Sequence, residues 1–239
     1  MTELTKAITV SNERSTSPQM ALSVPHPRDT EAKLDHILRH SARMFAEKSF
    51  AGASIRDISR ATGISLSGLY YYFDSKQRLL YLIQHDAFTL ILARLQRRLP
   101  GASEPTSRLR ILVGNHVDYF LSHPNEMKVL SHEEEALEEP LHGEVAAIKR
   151  KYYRLARKIF DEVAAAGLAP GLNPRVAVLS LFGMMNWVYK WHNPELDPGS
   201  DELTDAIVRI FLHGVLPEAT AAKEVRQATI PQGAPVTVP

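Results

Sequence analysis

The chain has 239 residues, 44% of them hydrophobic and 23% charged, with a formal net charge of +1. That much apolar material fills one generous core or two small ones and excludes a chain that stays unfolded throughout. Cysteine is absent, which rules out a disulfide framework, a thiolate zinc site and a cysteine nucleophile, and fits a reducing compartment.

Residues 1–27 and 217–239 are rich in Ser, Thr and Pro or lack a hydrophobic period, and both read as disordered tails. Between them apolar residues return every three or four positions, with no sustained alternation, so the expectation is an all-α protein. A first helix from about Thr30 to Lys48 places Leu34, Ile37, Leu38, Phe45 and Ala46 on one stripe, and Gly52 is available for a C-terminal turn. Ser54 caps a short second helix, with Asp57 placed for a capping box. Thr62 and Gly63 break it, and Ser65 or Ser67 caps a third helix through Leu69 and Phe73. Asp74 and Ser75 open a long fourth helix carrying Leu79, Leu80, Ile83, Phe88, Ile91 and Leu95. Further helices are expected over about 106–122, 125–138 and 141–166. Asn173 and Pro174 form a cap and first-turn pair for a helix to about Trp191, and a last helix runs from about Asp201 to Gly214.

The near-neutral total charge hides a division. From Arg28 to Arg98 there are 12 Lys and Arg against 7 Asp and Glu, a surplus of +5; from Leu99 to Leu216 there are 12 against 16, a deficit of −4. Phosphate affinity is largely summed cation contacts, so the basic third is the end suited to a polyanion, although a few surface lysines would give the same numbers. The N-terminus lacks the basic, apolar and small-residue order of a signal peptide, and the longest apolar run, AVLSLFGMMNWVY, is too short to span a bilayer. The expectation is a cytoplasmic protein with no membrane partner.

Two short helices joined by a glycine turn and packed on a first helix form a helix-turn-helix, whose second member can enter the DNA major groove. In the segment TGISLSGLYYYFDSKQRLL, Ser65 opens that member, and Leu66, Ser67, Gly68 and Tyr71 are the candidates for reading base edges. Gly68 would let the backbone approach. Tyr70, Tyr72 and Lys76 are assigned to phosphates, and Arg56 to a base or phosphate at the groove edge. The competing reading makes the tyrosines packing aromatics and Arg56 a solvated surface residue. Three adjacent helical residues point about 100° apart, so all three tyrosines cannot be core. Phe73 is assigned to the core.

FAEKSFAGASIRDISRATGISLSGLYYYFDSKQRLL resembles the DNA-binding domain of TetR-family bacterial transcription regulators, with matches at Phe45, Gly52, Ile58, Gly63, Ile64, Leu69, Tyr70, Phe73, Lys76 and Leu80. The resemblance implies a homodimer that binds a palindromic double-stranded DNA operator, usually as a repressor, and leaves it when a small-molecule inducer enters the C-terminal domain. It also implies a helix-turn-helix domain over residues 28–75 and a ligand-binding and dimerisation domain over 76–216.

In the C-terminal part, the apolar helix ending near Trp191 and the stripe Leu203, Ile207, Ile210, Phe211 and Val215 suit the four-helix contact between two subunits, with Gly183 allowing close approach. A monomeric core is the alternative. Tyr119, Phe120, Met127, Tyr152, Met184, Asn186, Trp187, Tyr189 and Trp191 are candidates to line a ligand pocket, each also open to an ordinary core role. Arg150, Arg154 and Arg157 recur at helical spacing, which suits the phosphates of a coenzyme A thioester. MMNWVYKW is similar to members of the family that respond to acyl-CoA compounds. The competing account is a solvated basic face matched to the acidic run HEEEALEEPLHGE, itself read as a solvated acidic helix and not as a metal site. No resident cofactor is expected. No GxSxG, HExxH or phosphate-cradling glycine loop is present, so the chain does not read as an enzyme. A helical protein-binding adaptor remains the other alternative.

Overall fold

The computed structural model describes residues 27–214 apart from Glu134 and Pro170. The expected tails therefore lie outside the described residues, except that Pro27 opens α1. The order is α1 Pro27–Gly52, α2 Ile55–Thr62, α3 Leu66–Tyr70, α4 Lys76–Arg98, α5 Pro105–Ser122, α6 Pro124–His132, α7 Leu141–Ala165, α8 Pro174–Asn186, α9 Val188–Trp191 and α10 Ser200–His213, with one 3-10 turn after α4. No strand occurs among the described residues.

Two apolar cores form, and α4 belongs to both. Its first turns give Leu79, Leu80, Tyr81 and Ile83 to a core with Ile37, Phe45, Ile58, Leu69 and Phe73. Its later turns give Ala87, Ile91 and Leu95 to a second core built with α5, α7, α8 and α10. The first core also takes Val129, Leu137 and Val145 from α6, the following segment and α7. The helix-turn-helix is thus packed directly on the C-terminal helices.

Three departures from the sequence expectation have local causes. The turn near residue 50 is made by Ser49, whose φ of 64° and ψ of 164° break α1, while the expected Gly52 stays outside the positive-φ region. The break strips Phe50 of its helical acceptor, and its N–H donates instead to Glu133 Oε1 at 2.9 Å. The acidic run is not one helix: α6 stops at His132, α7 starts only at Leu141, and the described residues between them form a connecting segment. That segment is pinned to α4: Gln77 Nε2 donates to the Ala136 carbonyl at 2.8 Å and Gln84 Nε2 to the Glu133 carbonyl at 3.0 Å. The helix expected to reach Trp191 is interrupted at Trp187, dividing it into α8 and α9.

Candidate nucleic-acid interface and ligand cavity

The helix-turn-helix is held by caps at each junction. Ser54 accepts from the Asp57 N–H while the Asp57 carboxylate accepts from the Ser54 N–H, a complete capping box. The Ser54 hydroxyl, 2.6 Å from Asp57 Oδ2, the ammonium of Lys48 at 2.9 Å and the Ser54 N–H hold the Asp57 carboxyl well below the usual carboxylate range. Gly63, at φ 70°, ends α2 in the left-handed region that glycine tolerates best. Ser65, not Ser67, caps α3, accepting from the Gly68 N–H at 3.2 Å.

A helix of five residues is too short to stand alone, so α3 depends on burial of what it carries. Leu69 is fully buried and Phe73, just beyond, is 3% exposed; each contributes roughly 1.5–3 kcal/mol by leaving water. With these two turned inward, Leu66 (39% exposed), Tyr70 (53%) and Tyr71 (72%) face solvent together with Ser65 and Ser67. Arg56 is likewise exposed on α2. Tyr72 is half-buried against the first core, its ring edge-on to Tyr71.

Two of the expected DNA contacts have other work. Lys76 is half-buried, and its ammonium donates to the carbonyls of Phe50 at 2.8 Å and Ala53 at 3.1 Å while lying 4.4 Å from the centre of the Phe50 ring. It caps the negative end of α1 and fixes the start of α2; a charge committed to carbonyls inside the chain is a poor phosphate contact. Gly68 is required by its own neighbours, since a Cβ there would come within 2.9 Å of Ile64 Cγ2 and 3.2 Å of Ser65 Oγ. Gly68→Ala is accordingly expected to cost about 1 kcal/mol or more of unfolding free energy, measurable by denaturant titration, even without DNA.

The C-terminal helices form a cavity of about 440 Å³, lined by residues of α4 to α8 and by Trp187 and open to solvent beside the exposed Leu179, Asn186 and Trp187. Of the residues expected at a pocket, Phe120, Met127, Tyr152, Asn186 and Trp187 do line it. Tyr119 faces a different cleft, with Asp86 and Glu126, and burial pushes its phenol pKa upward. Met184 packs on the second core, the Tyr189 hydroxyl lies 2.7 Å from His132 Nε2, and Trp191 is half-exposed beyond the cavity. Arg150 and Arg154 are exposed on the outside of α7 and do not line the cavity, because its inner stripe is taken by Tyr152 and Ile159. Arg157 pairs with Asp161 at 2.9 Å.

The sequence reading missed His116 and Phe182. His116 is fully enclosed, and burial without an ionised partner lowers its pKa to about 3, so the imidazole is neutral. Its Nε2 lies 2.9 Å from Asn186 Oδ1 and its Nδ1 3.3 Å from the Tyr152 hydroxyl. The signal was available in RILVGNHVDYF, where the polar pair Asn115 and His116 interrupts an apolar helix.

One face of α8 remains uncovered. Val176 (61% exposed), Leu179 and Trp187 share it with exposed Ser180 and Gly183, at helical spacing, and a Cβ on Gly183 would meet open space. A helix apolar on this side is normally covered. Among the described residues no helix is long and apolar enough to cross a membrane.

Residues 37–81 match the family model described as bacterial regulatory proteins, tetR family, and residues 102–215 match that of the tetracyclin repressor-like C-terminal domain. The chain is 30% identical over 139 residues to the transcriptional repressor NicS of Pseudomonas putida, a match spanning 58% of this chain and 64% of that repressor. It is 22% identical to the repressor KstR2 of Mycolicibacterium smegmatis, over 79% of this chain and 93% of the relative. The crystal structure of AibR in complex with isovaleryl coenzyme A and operator DNA superposes with a TM-score of 0.67 at 24% identity, covering 75% of this chain and 98% of that one. With a capped helix-turn-helix over the first matched region and a cavity-bearing helical domain over the second, the chain belongs to the TetR family of bacterial regulatory proteins.

Proposed function

We propose that the protein is a homodimeric transcriptional repressor that binds a palindromic operator through α3 and releases it when a small molecule occupies the cavity. The observation that carries this reading is the two-sidedness of α3, where Leu69 is buried while Leu66, Ser67, Tyr70 and Tyr71 face solvent. A hydroxyl such as Ser67 can bond to either kind of base edge, and phenols supply rigid donors to phosphate oxygens. NicS and KstR2 are named as repressors, which supports the sign of the response.

The uncovered face of α8 supports dimerisation, because a second copy covers it and brings two α3 helices to successive major grooves. A route from cavity to DNA is also present. Met127, Leu130 and Ser131 of α6 line the cavity, and Glu133, two residues on, holds the Phe50 N–H at the break in α1. A ligand that shifts α6 therefore acts on the segment that Lys76 fixes to α2. AibR's complex with isovaleryl coenzyme A makes an acyl-CoA a candidate effector here; with Arg150 and Arg154 outside the cavity, only its acyl end would enter.

The test begins with a genome-wide map of bound sites, followed by titration of the operator found. Tyr70→Ala is expected to weaken binding to every sequence by roughly 1 kcal/mol, whereas Ser67→Ala changes the preferred base at one position by about 1–3 kcal/mol. Failure to bind any duplex, with tight binding to a protein, would favour the adaptor reading.

A further inference from the structure

Apart from Ser131 of α6 and Lys149 of α7, the polar groups of the cavity wall fall along one uncharged line. The Tyr152 hydroxyl of α7 donates to His116 Nδ1 of α5, and the opposite Nε2–H donates to Asn186 Oδ1 at the end of α8. His116 is 3% exposed and Tyr152 4%. Phe120 stands edge-on to the imidazole with ring centres 4.0 Å apart, and Phe182 lies 5.7 Å from both His116 and Tyr152. Among the described residues no carboxylate lines the cavity; Lys149, a cation in its lining, lies over the Phe88 ring on the α4 side.

This wall has two unused hydrogen-bonding capacities. The Tyr152 oxygen, which the Asn115 amide also reaches, keeps one lone pair that a ligand hydroxyl can meet, and the Asn186 amide N–H groups can meet a ligand carbonyl. An ionised carboxylate that met only Tyr152, His116 and Asn186 would surrender its hydration to partners that carry no charge, a large desolvation cost. Flat rings fit the surrounding aromatic edges and faces better than branched chains do.

We propose that Tyr152, His116 and Asn186 form the specificity element of the effector site, selecting a flat apolar ligand with an uncharged hydroxyl or carbonyl oxygen, a thioester carbonyl included, over an ionised acid. The inference rests on the reading of this cavity as the effector site. Burial holds the imidazole neutral through the physiological range, so recognition of such a ligand takes up no proton.

Acetophenone, ethylbenzene and benzoate are matched in size and differ at this one group. Calorimetric titration of the full-length protein is expected to rank acetophenone on the order of tenfold tighter than ethylbenzene, one net hydrogen bond in worth, with benzoate weakest. The Tyr152→Phe, Asn186→Leu double variant should equalise acetophenone and ethylbenzene, and acetophenone binding should stay level from about pH 5.5 to about pH 8. Benzoate binding that equals that of acetophenone, or that strengthens about tenfold per unit fall in pH through charging of His116, overturns the proposal, as does a ketone preference that survives the double variant. Operator binding is measured separately on ligand-free protein. If all three probes fail to bind while operator binding is intact, the specificity proposal falls and the DNA-binding reading stands.

Discussion

Val176→Asp is expected to convert the protein to a monomer and to lower operator affinity roughly a hundredfold, since one half-site contact then has to hold without its tethered twin. Val176 is 61% exposed at the start of the uncovered face of α8, so a carboxylate there leaves the single chain's packing intact. Substitutions at such exposed positions usually stay within about 0.5 kcal/mol. Across a two-fold contact, by contrast, each copy would place its new charge in an apolar seam beside Leu179 and the open edge of Gly183. Sedimentation measures the mass, far-UV circular dichroism checks that the helices survive, and a gel-shift titration reads the affinity. A variant that keeps the parent's mass and operator affinity would rule out α8 as the surface of the proposed dimer.

Lys76→Met is expected to lower stability by about 2 kcal/mol, a figure typical of a charged hydrogen-bond donor removed from a partly buried site. In a chain of this size that is a fall of roughly 4–8 °C in Tm. The ammonium joins the Phe50 and Ala53 carbonyls to the first turn of α4, and methionine preserves its length while abolishing both bonds. Loss of this clamp loosens the segment that sets the angle of α2 and α3, so operator affinity falls as well. Salt dependence separates this account from a direct phosphate contact. A lysine on phosphate would take about one unit from the slope of log affinity against log salt when removed, whereas the internal clamp leaves the slope unchanged. A reduced slope with unaltered Tm would return Lys76 to the DNA surface.

How far the sequence alone reached differs between the two halves of the molecule. In the N-terminal half the signals are local: the capping pair Ser54 and Asp57, the glycine turn at Gly63, and apolar spacing that turns Leu69 and Phe73 inward. Caps and turns act over three or four residues, so they can be read from neighbours in the chain. The all-α class and most helix boundaries followed from the same short-range periodicity. Long-range pairings could not be read that way. Lys76 finds carbonyls 26 and 23 residues away, Phe50 finds Glu133 83 residues away, and His116 meets Asn186 at a separation of 70. On a helix such as α7, Tyr152 and Arg154 are two residues apart and point to different sides, and only the packing of α4, α5 and α8 around it decided which side encloses the cavity. Local interactions define each helix because they close within a turn or two of backbone. Which faces meet is settled by how apolar surface is shared among all the helices at once, and that balance exists only in the assembled fold.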